Sequence, residues 1–208
     1  MLDTLVAIPN SQDTMPSLFF DSLMEMNLPN CQIKRFNKFP VDLNREQTIK
    51  YFLENKNFRQ LLWLDTDMVH PTNLLQVLES FKQPVISGLY FEKTFPFHPI
   101  MFSEPQAGIF QKYANWPEMT LLEVGSMGTG CLLVQREVFE KISYPYCFYS
   151  RSEHDNTCPI GEDTNLFTNI KNAGFKLFVY TGVVSYHIKQ EMITPEIARQ
   201  ALRTVYRG

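Results

Sequence analysis

No stretch of this sequence approaches the ~20 consecutive apolar residues that a membrane-spanning helix needs. The first apolar run, Leu5 to Ile8, is too short for a secretory signal and has no basic flank. Cysteine is scarce. Cys31, Cys131, Cys147 and Cys158 form no C-x-x-C pair and no zinc-type spacing, which favours free thiols in a reducing compartment over disulfides. These absences lead to the expectation of a cytoplasmic protein. Positive charge is also lacking: the net charge is −3, so no global basic field draws in nucleic acid. Neither G-x-G-x-x-G after the first strand nor G-x-x-x-x-G-K-[ST] occurs, so dinucleotide and P-loop binding are unsupported. There are no repeats, low-complexity tracts or interdomain linkers, and 208 residues suit one domain.

The most informative stretch that is present runs from Leu61 to Met68. Leu61-Leu62-Trp63-Leu64 reads as a buried strand, and Asp65-Thr66-Asp67 follows directly. In an extended chain, residues i and i+2 share a side, so both carboxylates face together. Two carboxylates aimed at one point repel unless something positive lies between them, and a hard divalent cation carrying phosphate oxygens suits that place. By itself such a triplet also fits a solvated loop or a helix cap.

Around it, strand and helix patterns alternate. Leu2 to Ile8 reads as a strand, followed by a helix capped by Asp13 or Thr14 with Pro16 in its first turn. Cys31 to Phe36 is a second strand, and Asp42 or Asn44 caps a helix with Ile49, Phe52 and Leu53 inward. After the Asp65-Thr66-Asp67 strand, Pro71 opens a helix bearing Leu74, Leu75, Leu78 and Phe81, and Pro84 to Leu89 is a fourth strand. Such alternation predicts an α/β fold with a mainly parallel sheet and helices on both faces. In an open sheet of this kind, ligands bind at the carboxyl ends of the strands.

Residues 92–120 break the pattern, with Pro96, Pro99, Pro105 and Pro117 among aromatic residues, and suit hairpin or irregular structure over a cleft. Gly128-Thr129-Gly130 precedes a strand from Cys131 to Val134 and a short helix from Arg136 to Ile142. Glycines there permit close backbone approach to a ligand or a tight bend without one. Ser143 to Ile160 lacks periodicity and reads as a mobile segment. Gly161-Glu162-Asp163 opens a helix with Leu166, Phe167 and Ile170 inward, stopped by Gly174. Strands at Phe175–Tyr180 and Val183–His187 and a helix from about Thr194-Pro195 complete the chain.

Asp65-Thr66-Asp67, Gly128-Thr129-Gly130, the Gly161-Glu162-Asp163 helix start and a late Tyr186-His187 stand in one order. In that order the chain resembles a GT-A fold glycosyltransferase of the family 2-like type, in the short stand-alone form seen in phage and environmental genomes. The resemblance covers roughly residues 2 to 188. It implies a Rossmann-like three-layer α/β/α sandwich, mostly parallel with a small antiparallel segment. It further implies a nucleotide-binding half (1–90), an acceptor and catalytic half (91–190) and a C-terminal helix (191–208). The implied donor is a nucleotide-diphosphate sugar, a UDP-sugar foremost, bound with Mn²⁺ or Mg²⁺. Asp67 and His187 match the metal ligands, with Asp65 reaching the metal shell or the ribose. Asp163 matches the base of inverting members, with Glu162 beside it. Pro9, Asn10 and Arg45 match positions that hold the base and the diphosphate, and Gly128-Thr129-Gly130 the floor beside the sugar. Family 2 members usually place an acid after the second strand, where Arg35-Phe36-Asn37-Lys38 offers none.

The implied acceptor is a glycan, a protein or modified DNA, and a homodimer is compatible. DNA would require Lys34, Arg35, Lys38, Arg45 and the Arg199–Arg207 tail to form one basic patch. Trp116 and its aromatic neighbours suit either acceptor stacking or a core. Two rivals share the D-x-D signal. A haloacid-dehalogenase-type phosphatase needs the first Asp as nucleophile on the first strand, and a non-catalytic sugar- or nucleotide-binding module needs no Glu162-Asp163 pair.

Overall fold

A computed structural model describes residues 2–151, 159–189 and 193–206. Its first half contains β1 (Thr4–Pro9), α1 (Ser17–Glu25), β2 (Cys31–Phe36), α2 (Val41–Glu54), β3 (Gln60–Leu64), β4 (Met68–Val69), α3 (Leu74–Ser80) and β5 (Val85–Leu89). The strands β6 (Met101–Gln106), β7 (Ile109–Lys112), β8 (Leu121–Val124), β9 (Ser126–Met127) and β10 (Cys131–Gln135) follow, then α4 (Arg136–Lys141), β11 (Ser150–Arg151) and β12 (Pro159–Ile160). The chain closes with α5 (Glu162–Asn172), β13 (Leu177–Val184), β14 (Tyr186–His187) and α6 (Pro195–Tyr206).

Seven strands form the central sheet in the order β2-β1-β3-β10-β5-β13-β8. β2, β1, β3, β5 and β13 run one way, while β10 and β8 run against them. The expected mainly parallel sheet is therefore present, but an antiparallel strand is inserted at its centre. β3 is buried along its whole length, as an apolar run covered on both faces must be. Alternation divides its side chains between two cores. Leu61 and Trp63 pack with α2, α4 and α5 through Ile49, Phe52, Phe139 and Phe167. Leu62 and Leu64 pack with α1 and α3 through Phe19, Leu23, Leu75 and Leu78. The result is three layers, helix, sheet and helix. Three small antiparallel sheets, β7-β6-β9, β11-β12 and the β14-β4 ribbon, accompany it among the described residues.

Several boundaries differ from expectation. α1 begins after Pro16, downstream of Asp13 and Thr14, and α3 begins at Leu74, three residues after Pro71. α2 begins after Pro40, which has no N–H to leave unpaired, so Asp42 falls within its first turn. Asn44, expected as a cap, donates instead to the carbonyls of Phe36 (2.6 Å) and Lys38 (3.2 Å) and ties the helix to the end of β2. The two strands expected between Phe175 and His187 redistribute into β13 and the short β14, with an irregular register between Tyr180 and Val184. Cys31, Cys131 and Cys147 are free thiols, whereas residues 152–158, Cys158 among them, of the segment expected to be mobile lie outside the described residues. No helix among the described residues is long and apolar enough to cross a membrane.

Candidate active site

The carboxyl end of β3 meets the start of β10 because the two are antiparallel, with Leu64 opposite Cys131. Gly128-Thr129-Gly130 thus sits beside Asp65, whose backbone N–H donates to the Gly130 carbonyl at 2.9 Å. Tyr90, just past the end of β5, holds the bend: the Gly130 N–H donates to its hydroxyl at 3.1 Å. A methyl group on Gly128 would overlap that hydroxyl and come within 2.8 Å of Ile100 Cγ2. The expected reason for a glycine at 128 was room for a sugar. In the fold, the room is taken by Tyr90.

The two acids of the triplet part company. Asp65 faces Arg45, whose Nη2 lies 3.1 Å from Oδ1 and 3.4 Å from Oδ2. Asp67 is half exposed and forms an ion pair with Lys93. Each acid thus has its own cation, which resolves the repulsion that their spacing creates. Arg45 was expected at a diphosphate, yet its side chain is only 3% exposed and stacks over Trp63 at 5.5 Å. Its Nε also lies 3.7 Å from Glu162 Oε1, so one guanidinium spans the end of β3 and the start of α5. Burial works against its charge, but Asp65 and Glu162 outweigh burial and hold its pKa above the usual arginine range.

Glu162 and Asp163 occupy the first turn of α5, after Gly161. Asp163 Oδ1 accepts from the backbone N–H of Thr164 at 2.7 Å. Its carboxyl pKa is raised, first by burial and then by the neighbouring Glu162 charge, with Thr164 and Arg45 pulling the other way. Just past the end of β3, His187 pairs with Met68 in the β14-β4 ribbon, and the Ile188 N–H donates to the Asp67 carbonyl at 2.7 Å. The buried His187 ring bonds the Phe91 carbonyl through Nδ1 and packs edge-on against Tyr90 at 5.4 Å. A carbonyl only accepts, so Nδ1 carries the proton and Nε2 keeps its lone pair.

Asp65, Asp67, Gly128, Thr129, Gly130, Glu162 and His187 therefore gather at the carboxyl end of the central strand β3, through β3, β10, α5 and the β14-β4 ribbon. Pro9 and Asn10 lie at the end of β1, but the Asn10 side chain is consumed in its own turn, donating to the Thr14 carbonyl (3.1 Å) and accepting from the Gln12 N–H (2.8 Å). Trp116 packs against Phe91 at 5.3 Å and is buried, so it serves the core. The basic residues expected in one patch do not gather. Arg45 is buried, Arg35 bonds the carbonyls of Asn10 (3.0 Å) and Gln12 (2.5 Å), and Lys34 and Lys38 line a cleft of about 550 Å³. Arg199 and Arg203 line a separate cleft of about 1240 Å³. Arg207 is outside the described residues. Neither cleft includes the acids above.

Sequence reasoning missed three residues here. Tyr90 was signalled only by the glycines it requires at 128 and 130. Lys93 carried no signal. His70 is buried, bonding Ser185 Oγ (3.0 Å) through Nδ1 and the Asp65 carbonyl (3.3 Å) through Nε2, and so links the end of β3 to the approach to β14. Burial lowers its pKa to about 4 despite Asp65 and Asp67 nearby, so it is neutral at pH 7.

No protein-family profile matches the chain, and no curated protein matches it in sequence. Solved structures do match in shape. A197 from STIV superposes with a TM-score of 0.67 at 24% identity, over 94% of this chain and 91% of that one. GalNAc-T7, solved with UDP, GalNAc and Mn²⁺, gives 0.54 at 11% identity, over 91% of this chain but 44% of the other. TarS residues 1–349 from S. aureus, solved with UDP-GlcNAc, gives 0.53 at 12% identity, over 98% of this chain and 65% of that one. This likeness is one of fold. The chain has a GT-A-like fold.

Proposed function

We propose that the protein transfers a sugar from a nucleotide-diphosphate sugar to an acceptor hydroxyl, with inversion at the anomeric carbon. The observation that carries this reading is the buried Arg45 bridge, which joins the acid at the end of β3 to the acid pair at the start of α5. A donor-phosphate site and a proton-accepting site need that proximity. The fold supports it, since two proteins of similar shape were solved with UDP, GalNAc and Mn²⁺ or with UDP-GlcNAc.

Residues 1–90 would then bind the nucleotide and residues 91–190 the acceptor. Asp67 and His187 fit a divalent cation. His187 directs a lone pair from Nε2 with its other nitrogen fixed on a carbonyl, the usual arrangement of a ligating histidine, and the Asp67 carboxylate is accessible. Among the described residues no three Cys, His, Asp or Glu side chains form a ready-made cluster. Two protein donors suffice when the ion also takes phosphate oxygens and water, as Mg²⁺ commonly does. When bound, such an ion stabilises the charge that develops on the leaving nucleoside diphosphate.

The remaining work falls to the chain itself. Asp65, held by Arg45, presents a fixed carboxylate to the ribose. Asp163 accepts the proton of the acceptor hydroxyl, and its raised pKa brings its basicity closer to that task. Glu162, held in place by Arg45, orients the acceptor through a hydroxyl. The phosphatase alternative is disfavoured, because Asp65 ends the third strand in place of the first.

The test is a donor screen. UDP-, GDP-, CDP- and dTDP-sugars are incubated with the protein and Mn²⁺, and slow hydrolysis is measured. Turnover of at least one donor is expected, abolished by chelation and by Asp67→Ala. If none is hydrolysed, or chelation changes nothing, the proposal fails.

A further inference from the structure

Lys93 is the one cation on Asp67 among the described residues. It lies on a short loop whose two sides are tied together. The Glu92 N–H donates to the His98 carbonyl (2.8 Å), the Phe97 N–H to Thr94 (2.8 Å) and the Ile100 N–H to Tyr90 (2.9 Å). The neighbouring Phe91 carbonyl fixes His187, and Lys189 Nζ bonds the Lys93 carbonyl at 3.0 Å. The backbone at Lys93 is thus anchored on both sides, to its own loop and to the segment after β14. Only the side chain is left to move. The Lys93 side chain is 39% exposed and that of Asp67 48%, so solvent reaches the pair.

One loop therefore acts on both proposed metal ligands, and in opposite senses. Through Phe91 it readies His187 by fixing the proton on Nδ1. Through Lys93 it covers the carboxylate of Asp67. An ammonium and a divalent cation repel each other at one carboxylate, so binding of the ion requires the ammonium to leave. An ammonium released there meets the phosphate oxygens that the ion carries.

We propose that Lys93 belongs to the donor-phosphate site: it neutralises Asp67 in the free protein, yields that carboxylate to the divalent cation, and then pairs with the diphosphate. This rests on the glycosyltransferase reading above. It makes metal and diphosphate bind as a matched set, since the ion displaces the ammonium and the diphosphate then occupies it. Free metal alone is held less tightly than the two ligands would otherwise hold it.

The test uses the full chain and compares Lys93→Met, which keeps the apolar stem, with Lys93→Arg, which keeps the charge. Titration calorimetry follows Mn²⁺ alone, then UDP and GDP at saturating Mn²⁺, with thermal unfolding to verify the fold. Lys93→Met is expected to bind Mn²⁺ about two- to five-fold more tightly, the range of an exposed ion pair. It is expected to bind the better nucleoside diphosphate about ten-fold more weakly, the worth of one hydrogen bond to a charged group. Lys93→Arg stays near the wild type in both. Unchanged or weaker Mn²⁺ binding by Lys93→Met, or unchanged diphosphate binding, overturns the role of Lys93 alone. A wild-type protein that binds neither Mn²⁺ nor a diphosphate overturns the transferase reading as well.

Discussion

Arg45 sets one buried charge against two acids, and its removal is the most damaging single change the site offers. Arg45→Met leaves Asp65 and Glu162 without a counter-charge, and breaking a buried ion pair from one side costs about 3–5 kcal/mol. Denaturant unfolding is expected to show a lower midpoint, with activity lost even where the fold persists. Asp163 behaves in the opposite way. Its folded pKa lies above the ordinary aspartate value, so between the two values the folded state holds the extra proton. Stability therefore falls as pH rises through that window, and the penalty is complete above it. Asp163→Asn is expected to raise the thermal midpoint at pH 7 while abolishing turnover, with the gain shrinking as pH falls through the raised pKa. Glu162→Gln removes a charge that raises this pKa, so the acid limb of the donor-hydrolysis profile moves to lower pH. Gly128→Ala tests the tyrosine that the sequence concealed. Overpacking against Tyr90 costs about 1–3 kcal/mol, and adding Tyr90→Phe is expected to recover part of it in a double-mutant cycle.

At the scale of elements, what was legible was local. β3 and its two acids could be read because a buried strand is a continuous apolar run and the acids adjoin it. The start of α5 was legible from Gly161-Glu162-Asp163, and its end from Gly174, which takes a φ of +89°. The position of β10 was not legible. Nothing in Cys131–Gln135 says that it slots between β3 and β5, because its partners lie 67–75 positions away in β3 and 45–49 in β5. The same holds for the ion pairs. Arg45 and Lys93 meet their acids across 20 and 26 residues, and no periodicity records such a meeting. α2 contributes a second long-range tie: Glu46 accepts from the backbone N–H groups of Tyr146 (2.5 Å) and Cys147 (2.7 Å). Two adjacent residues of one helix thus serve the site differently, Arg45 through the acids and Glu46 through the chain that leads towards α5. Glu46→Ala is expected to expose the amides of residues 146 and 147 to hydrogen exchange, with Asp65 amide protection unchanged.

For the molecule as a whole, the likeness to three solved structures extends over more than nine-tenths of this chain in each case, although no sequence family claims it. Such separation of fold from sequence is expected where layers are held by apolar alternation, which many sequences satisfy. The central strands bring the acids, the glycine bend and the late histidine together at their ends, while Lys34 and Lys38 line one cleft and Arg199 and Arg203 another. Duplex DNA is accordingly expected to bind weakly in a filter or anisotropy assay at physiological salt. The most direct test of the account is the anomer first released when water replaces the acceptor. Donor hydrolysis with Mn²⁺ followed by proton NMR is expected to yield free sugar of the opposite anomeric configuration to the donor, before mutarotation, and none with Asp163→Asn. Release with the donor's own configuration would contradict Asp163 as the base, and no release from any nucleotide sugar would contradict the transferase itself.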